Sequence, residues 1–266
     1  MNIPTSTEKL IARKENGIGW VIFNNPQKRN AMSPDMYDGL RIAMEAYATD
    51  AEVRVVILKG EGDKAFISGA DISGFAENRS NAEQVSQSEA RSEAANRALR
   101  ECPKPTIAMI RGYCMGGGLG VAIACDMRIA TDDSRFGVPA AKLSVGYRYD
   151  GLKRLSDLVG PAFTAEIFYT GRQFSAEEAI RMGLVNRVLS VAELESYVMN
   201  YASTIAANAP LTHMAVKRCL IEMRKNETER DLELCQSMVE ACFASADFIE
   251  GRTAFMEKRK PVFQGR

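Results

Sequence analysis

The sequence predicts an α/β fold, with strands and helices alternating over residues 1–190 and a helical module over 191–266. Three observations carry that expectation. Apolar and β-branched runs alternate with segments of helical period along the first part of the chain. Cap and stop signals fall between them. No strand signal interrupts the last stretch. Alternation of this kind implies crossover connections, with helices packed on a sheet.

The elements follow in order. "IGWVIFNNP" (18–26) reads as a strand closed by Asn-Pro. Ser33 then stands as an N-cap with Pro34 at the first helical position. Met36, Leu40, Met44 and Tyr47 recur at helical spacing behind them. "VRVVILKGEG" (53–62) is a β-branched strand ended by glycines, and "AFISGADISG" a short strand turning into a glycine-punctuated loop. Residues 81–101 form a polar, alanine-rich helix. A strand over 105–113, a glycine run, a buried helix over 118–125 and the strand "MRIAT" come next. In "SAEEAIRMG" (175–183), Ser175 and Glu178 make a capping box and Gly183 ends the helix. "LVNRVLS" returns as a strand. Segments 191–208, 212–225, 229–245 and 247–258 are all helical in period. Met238, Val239, Phe243, Phe248 and Phe255 give that module apolar faces, suited to packing on the core or on another subunit.

Composition narrows the function. The chain has 266 residues, with 34 basic against 34 acidic side chains and a formal net charge of zero. That balance argues against a nucleic acid or a membrane surface as partner. The N-terminus lacks the apolar core of a signal peptide, and no apolar run approaches the roughly 20 residues that span a bilayer. Six cysteines (102, 114, 125, 219, 235, 242) show neither a CxxC pair nor metal-ligand spacing. The expected setting is a reducing cytoplasm, with no metal. The one histidine, His213, falls in the first turn of a helix and reads as a partly buried surface residue.

The chemistry centres on "YCMGGGLGVAIACD" (113–126). Gly116–Gly118 are not a P-loop, because Leu119 and Gly120 stand where Lys-Ser/Thr would follow. The dinucleotide pattern G-x-G-x-x-G/A fails at Val121 and again at Ile123. A glycine-rich turn at a helix start can still expose backbone N–H groups to an anion, including one that exists only in a transition state. "FISGADISG" has the same character at Gly69 and Ala70, so two small-residue turns could converge on one carbonyl oxygen.

Five stretches carry a family likeness: "NPQKRNAMS", "VRVVILKGEGDKAFISGADISGF", "CPKPTIAMIRGYCMGGGLGVAIACDMRIATDDSRFGVP", "TGRQFSAEEAIRMGLVNRVL" and "FMEKRKPVF". In this order and over nearly the whole chain, they resemble the crotonase family, the enoyl-CoA hydratase/isomerases. The resemblance implies a spiral of ββα repeats with a C-terminal helical module. It also implies acyl-CoA thioester substrates, no metal or redox cofactor, and self-association as homotrimers or hexamers (dimers of trimers). Its oxyanion hole of two backbone N–H groups maps onto Ala70 and Gly117. Lys28 and Arg29 match positions near the CoA entrance. Ser68, Gly69, Asp71, Ile72 and Gly116 fall around the substrate, with Asp71 also reading as structural. Lys260 and Phe263 resemble a tail that meets CoA, often from a neighbouring subunit. Asp126, shared with the family pattern, reads as structural.

The sequence departs from the family where the chemistry is sharpest. Ordinary hydratases carry two glutamates that activate water and move protons across the double bond. Their positions here are Gly120 and Ala140, which can transfer no proton. Downstream, "LSVGYRYDGLKRL" (143–155) replaces a Gly/Pro-rich loop that lines the acyl pocket in relatives. It brings Tyr147, Arg148 and Asp150 as candidates, and it is similar to the "GVPYN" segment of methylmalonyl-CoA decarboxylase, whose tyrosine maps onto Tyr147. Decarboxylation suits a site without carboxylates, because loss of CO2 generates the enolate directly, and Arg148 would attract a carboxylated substrate. Space-filling aromatics at the loop, and Asp150 as N-cap of a helix beginning at Gly151, are the structural alternatives.

Overall fold

In a computed structural model, which describes residues 2–71 and 82–266, the alternation resolves into two sheets. Strands β1 (Asn2–Ile3), β2 (Leu10–Glu15), β3 (Ile18–Phe23), β4 (Val55–Gly60), β6 (Thr106–Ile110), β8 (Met127–Thr131) and β11 (Arg187–Leu189) form a seven-stranded sheet in the order β1-β2-β3-β4-β6-β8-β11. Pairing is parallel from β3 to β11. Strands β5 (Ala65–Ile67), β7 (Tyr113–Met115), β9 (Arg135–Gly137) and β10 (Phe174–Ser175) form a four-stranded sheet in the order β10-β9-β7-β5.

The ββα repeat is visible in how these strands are shared. Three times, a strand of the large sheet passes through a short bend into a strand of the small one: β4 to β5, β6 to β7, β8 to β9. The described helices that come next are α2 (Ala82–Glu101), α3 (Gly117–Ala124) and α4 (Tyr149–Thr170). The single strand expected over 105–113 is thereby corrected to two strands in different sheets. The chain bends at Arg111–Gly112, where the Tyr113 N–H donates to the Lys64 carbonyl at 3.1 Å. Arg111 and Gly112 interrupt the apolar run at that bend, and the three-residue strand after it is too short to show a period of its own.

Helix α1 (Pro34–Thr49) buries the expected Met36, Leu40, Met44 and Tyr47 in the main core. Helix α5 (Ala176–Arg181) is capped as expected, with Ser175 Oγ accepting from Glu178 N at 3.2 Å and the Glu178 carboxylate from Ser175 N at 2.8 Å. Of the 191–266 stretch, α6 (Val191–Ala207) lays Leu194, Val198 and Ala202 on the other face of the large sheet. Helices α7 (Pro210–Met223), α8 (Leu232–Ala244) and α9 (Ala246–Glu257) extend beyond it, and α8 buries none of its residues. Lys217 ties α7 to the core: its Nζ donates to the Asp126 carboxylate at 2.8 Å and to the Lys104 carbonyl at 2.9 Å. Asp126 also accepts from Thr106 N and Oγ1, a structural role. No helix among the described residues is long and apolar enough to cross a membrane.

Candidate active site

Two backbone turns meet at the ends of adjacent parallel strands. β5 and β7 pair in parallel, so the Gly69–Ala70 turn after one lies beside the Gly116–Gly117 turn after the other. A Cβ added to Gly116 would stand 3.9 Å from the Gly69 Cα, so the turns lie close beside each other. Gly116 takes φ +51° and ψ −117°, a conformation that side-chain-bearing residues rarely adopt. Its N–H donates to the Gly137 carbonyl at 2.8 Å, which anchors the start of α3. Gly118 is needed for a different reason. A Cβ there would overlap the Ile67 carbonyl and stand 2.6 Å from the Ile67 Cβ, so α3 reaches this close to β5 only with glycine.

Two donors are left unused among the described residues. Met32 N donates to Gly69 O at 2.8 Å and Asp71 N to Met32 O at 2.9 Å, which brackets Ala70 in an isolated parallel bridge. Among the described residues, neither the Ala70 N–H nor the Gly117 N–H donates to an acceptor. The second sits at the first position of α3, where helical N–H groups have no partner within the helix and the dipole is positive. Both residues are partly exposed. Two such donors can stabilise one developing oxyanion.

The two positions at which the resemblance expects glutamates are empty of acid chemistry in different ways. Gly120 lies one turn into α3, and a Cβ there would meet nothing within 4 Å. Ala140, in the short 3-10 turn Pro139–Lys142, is 6% exposed and packed in the apolar core.

The loop that follows is structured by its own contacts. Tyr147 is 39% exposed and meets Phe168 edge-on, with ring centroids 4.7 Å apart. Arg148 is drawn away to α2, its Nε donating to the Glu89 carboxylate at 2.7 Å. The expectation that Asp150 caps a helix starting at Gly151 is corrected: α4 begins at Tyr149 with Arg148 as the cap residue. Asp150 therefore lies in the exposed first turn, and its carbonyl accepts from Arg154 Nε at 3.1 Å.

Lys28 does reach the first turn. Its Nζ is 2.9 Å from the carboxylate of Asp71, the residue after Ala70. Arg29 stacks over the Tyr113 ring at 5.5 Å, and Ser68 N donates to the Arg29 carbonyl at 3.1 Å. Ile72 lies outside the described residues. Within one chain, Lys260 and Phe263 are not brought to this site. Arg54 donates to the Phe263 carbonyl at 3.3 Å, and the Phe263 ring lies against Gly251. Arg54 precedes β4, whereas β5 abuts the opposite end of that strand at Gly60. Six strand residues, roughly 20 Å, separate the two ends.

Two residues of the site carry weaker signals in the sequence. Asn30 is fully buried in a left-handed conformation, and its side chain bonds Asn25 N, Glu61 O and Ala65 O, which stitches the "PQKRN" turn to β5. Tyr37 projects from the first turn of α1, and a Cβ on Gly117 would stand 2.8 Å from its hydroxyl oxygen. Away from the site, burial pushes the thiols of Cys114 and Cys125 well above the ordinary range, so they are inert core groups. Burial likewise lowers the pKa of His213, which is part-buried.

Comparison with known proteins agrees with this architecture. The family model "Enoyl-CoA hydratase/isomerase" matches residues 13–266. A crotonyl-CoA hydratase from Syntrophomonas wolfei is 34% identical over 96% of this chain and 98% of its own length. A peroxisomal Delta(3,5)-Delta(2,4)-dienoyl-CoA isomerase from Arabidopsis thaliana is 34% identical over 91% of both chains. The crystal structure of an enoyl-CoA hydratase/carnithine racemase from Magnetospirillum magneticum superposes with a TM-score of 0.91 at 37% identity, covering 98% of this chain and 97% of that one.

Proposed function

The chain belongs to the enoyl-CoA hydratase/isomerase family, and we propose that it holds an acyl-CoA thioester oxygen between the N–H groups of Ala70 and Gly117. An enolate formed at the α-carbon is then stabilised as its charge develops. The single observation that carries this reading is the close approach of the Gly69 and Gly116 turns, each followed by an N–H with no acceptor among the described residues. Loss of one such donor costs on the order of 3–4 kcal/mol in the barrier of comparable reactions. The chemistry calls for no metal or redox cofactor.

Simple hydration of an enoyl-CoA is not the reaction we assign. It needs a proton donor and a proton acceptor about the double bond, and Gly120 and Ala140 supply neither. The open space at Gly120 favours a second, narrower reading: decarboxylation of a malonyl-type acyl-CoA such as methylmalonyl- or ethylmalonyl-CoA. Departure of CO2 leaves its electron pair on the α-carbon, so the enolate forms without a base. Tyr147 would assist from the 143–151 loop, with Asp150 beside it. Arg148 would assist only after exchanging Glu89 for the substrate carboxylate.

The assembly follows the same logic. Leu220, Met223, Phe243, Ile249 and Phe255 are exposed on the C-terminal helices, which supports self-association as a trimer or a hexamer. Lys260 and Phe263 would then meet CoA in a neighbouring subunit's site.

The test offers the protein crotonyl-CoA and, separately, methylmalonyl- and ethylmalonyl-CoA. We expect hydration to be very slow, CO2 to be released, and Tyr147→Phe to slow that release. Crotonyl-CoA turnover on the order of tens per second would overturn the first expectation. Absence of CO2 from every malonyl-type substrate, with acyl-CoA binding intact, would identify a non-catalytic acyl-CoA binder instead.

A further inference from the structure

The geometry points to Tyr37 as a third hydrogen-bond donor to the thioester oxygen, an inference that rests on the acyl-CoA reading above and extends it to a side chain on α1. The backbone places this residue. Met32, just ahead of α1, is locked to the Ala70 turn by the bonds to Gly69 O (2.8 Å) and from Asp71 N (2.9 Å). Tyr37 N then closes the first helical turn on Ser33 O at 3.3 Å, so the ring leaves α1 next to the two glycine turns. Its hydroxyl oxygen stands 2.8 Å from where a Cβ on Gly117 would be.

Distances limit what that hydroxyl can reach. A Cβ lies roughly 2.5 Å from its own backbone nitrogen. The Tyr37 oxygen is therefore within about 5.3 Å of the Gly117 nitrogen. An N–H and an O–H donor address one shared oxygen when they are no more than about 5.6 Å apart. One thioester oxygen can accept from both.

The surroundings agree. Gly117 and Gly120 are three residues apart on α3, so they share a face. That face carries the hydroxyl at one end and open space at the other. In a site without the two glutamates, the phenol is a group that can answer a developing negative charge. Tyr47 on the same helix points into the core instead, where its hydroxyl donates to the Arg13 and Trp20 carbonyls at 3.0 and 2.7 Å.

The experiment uses acetoacetyl-CoA, a β-keto thioester whose enolate absorbs in the near ultraviolet, with free CoA as the control ligand. Wild-type protein is expected to show the enolate band on binding. Hydrogen bonds to a charged acceptor contribute on the order of tenfold or more to an equilibrium. Tyr37→Phe should therefore lower the enolate fraction about tenfold or more and move the band's pH midpoint up by about one unit or more, with CoA affinity unchanged. Tyr47→Phe should leave the band in place. A fluorotyrosine at position 37, a more acidic donor that keeps the ring, should shift the midpoint down even if the phenylalanine variant folds poorly. An unchanged band and midpoint in Tyr37→Phe overturn the assignment while the acyl-CoA reading stands. No band in the wild type overturns both.

Discussion

Gly120→Ala should stabilise the protein by about 0.5–1 kcal/mol, whereas Gly118→Ala, two residues earlier in the same helix, should cost about 2–3 kcal/mol. The first figure is the backbone entropy that glycine gives up in a helix relative to alanine. It is realised only where the new methyl fits, and a Cβ at Gly120 has nothing within 4 Å. The second figure is overpacking. A Cβ at Gly118 overlaps the Ile67 carbonyl and stands 2.6 Å from the Ile67 Cβ, backbone and branch point of β5, which cannot rotate away. Guanidinium unfolding at one fixed protomer concentration reads both. Destabilisation by Gly120→Ala, or tolerance of Gly118→Ala, would refute the claim that one glycine is a close-packing requirement and the other an open position.

Other outcomes are equally concrete. Lys217→Met removes the cation that joins Asp126 to the Lys104 carbonyl; because Asp126 is partly solvated, the expected loss is roughly 2 kcal/mol, read by chemical denaturation. Acid should weaken the α5 cap: the Arg172 guanidinium, and then the Ser175 N–H, hold the Glu178 carboxyl down at about 2. A depressed carboxylate contributes stability above its unfolded value of about 4.3, and that contribution is lost as pH falls toward 2. Glu178→Gln should therefore flatten the stability–pH curve across that window, and an unchanged slope would contradict it.

The sequence made some parts of this molecule legible and hid others for physical reasons. Alternating strands and helices, the Ser33–Pro34 start and the Ser175/Glu178 box are local signals, and each stands where it was expected, although the Ser33 side chain makes no capping bond. The bend at Arg111–Gly112 is marked by a charged residue and a glycine, but β7 is only three residues long, too short to read as a strand of a second sheet. The turns at Gly69–Ala70 and Gly116–Gly117 stand out by their small residues, but the pairing of Ala70 with Gly117 as donors is what the family resemblance implies. The place of Tyr37 beside Gly117 was not legible, because it depends on a long-range bridge, Met32 to Ala70, that no periodicity records. Arg148 looked available as a substrate contact, yet its partner Glu89 lies 59 residues away in sequence. Lys260 and Phe263 illustrate the converse, since their expected role belongs between chains and a single chain keeps them at the other end of β4.

The most direct test is a crystal structure with an unreactive acyl-CoA thioester bound. The thioester oxygen should lie within about 3.2 Å of both the Ala70 and Gly117 nitrogens. A thioester bound elsewhere, or an oxygen beyond hydrogen-bonding distance of either nitrogen, would contradict the account.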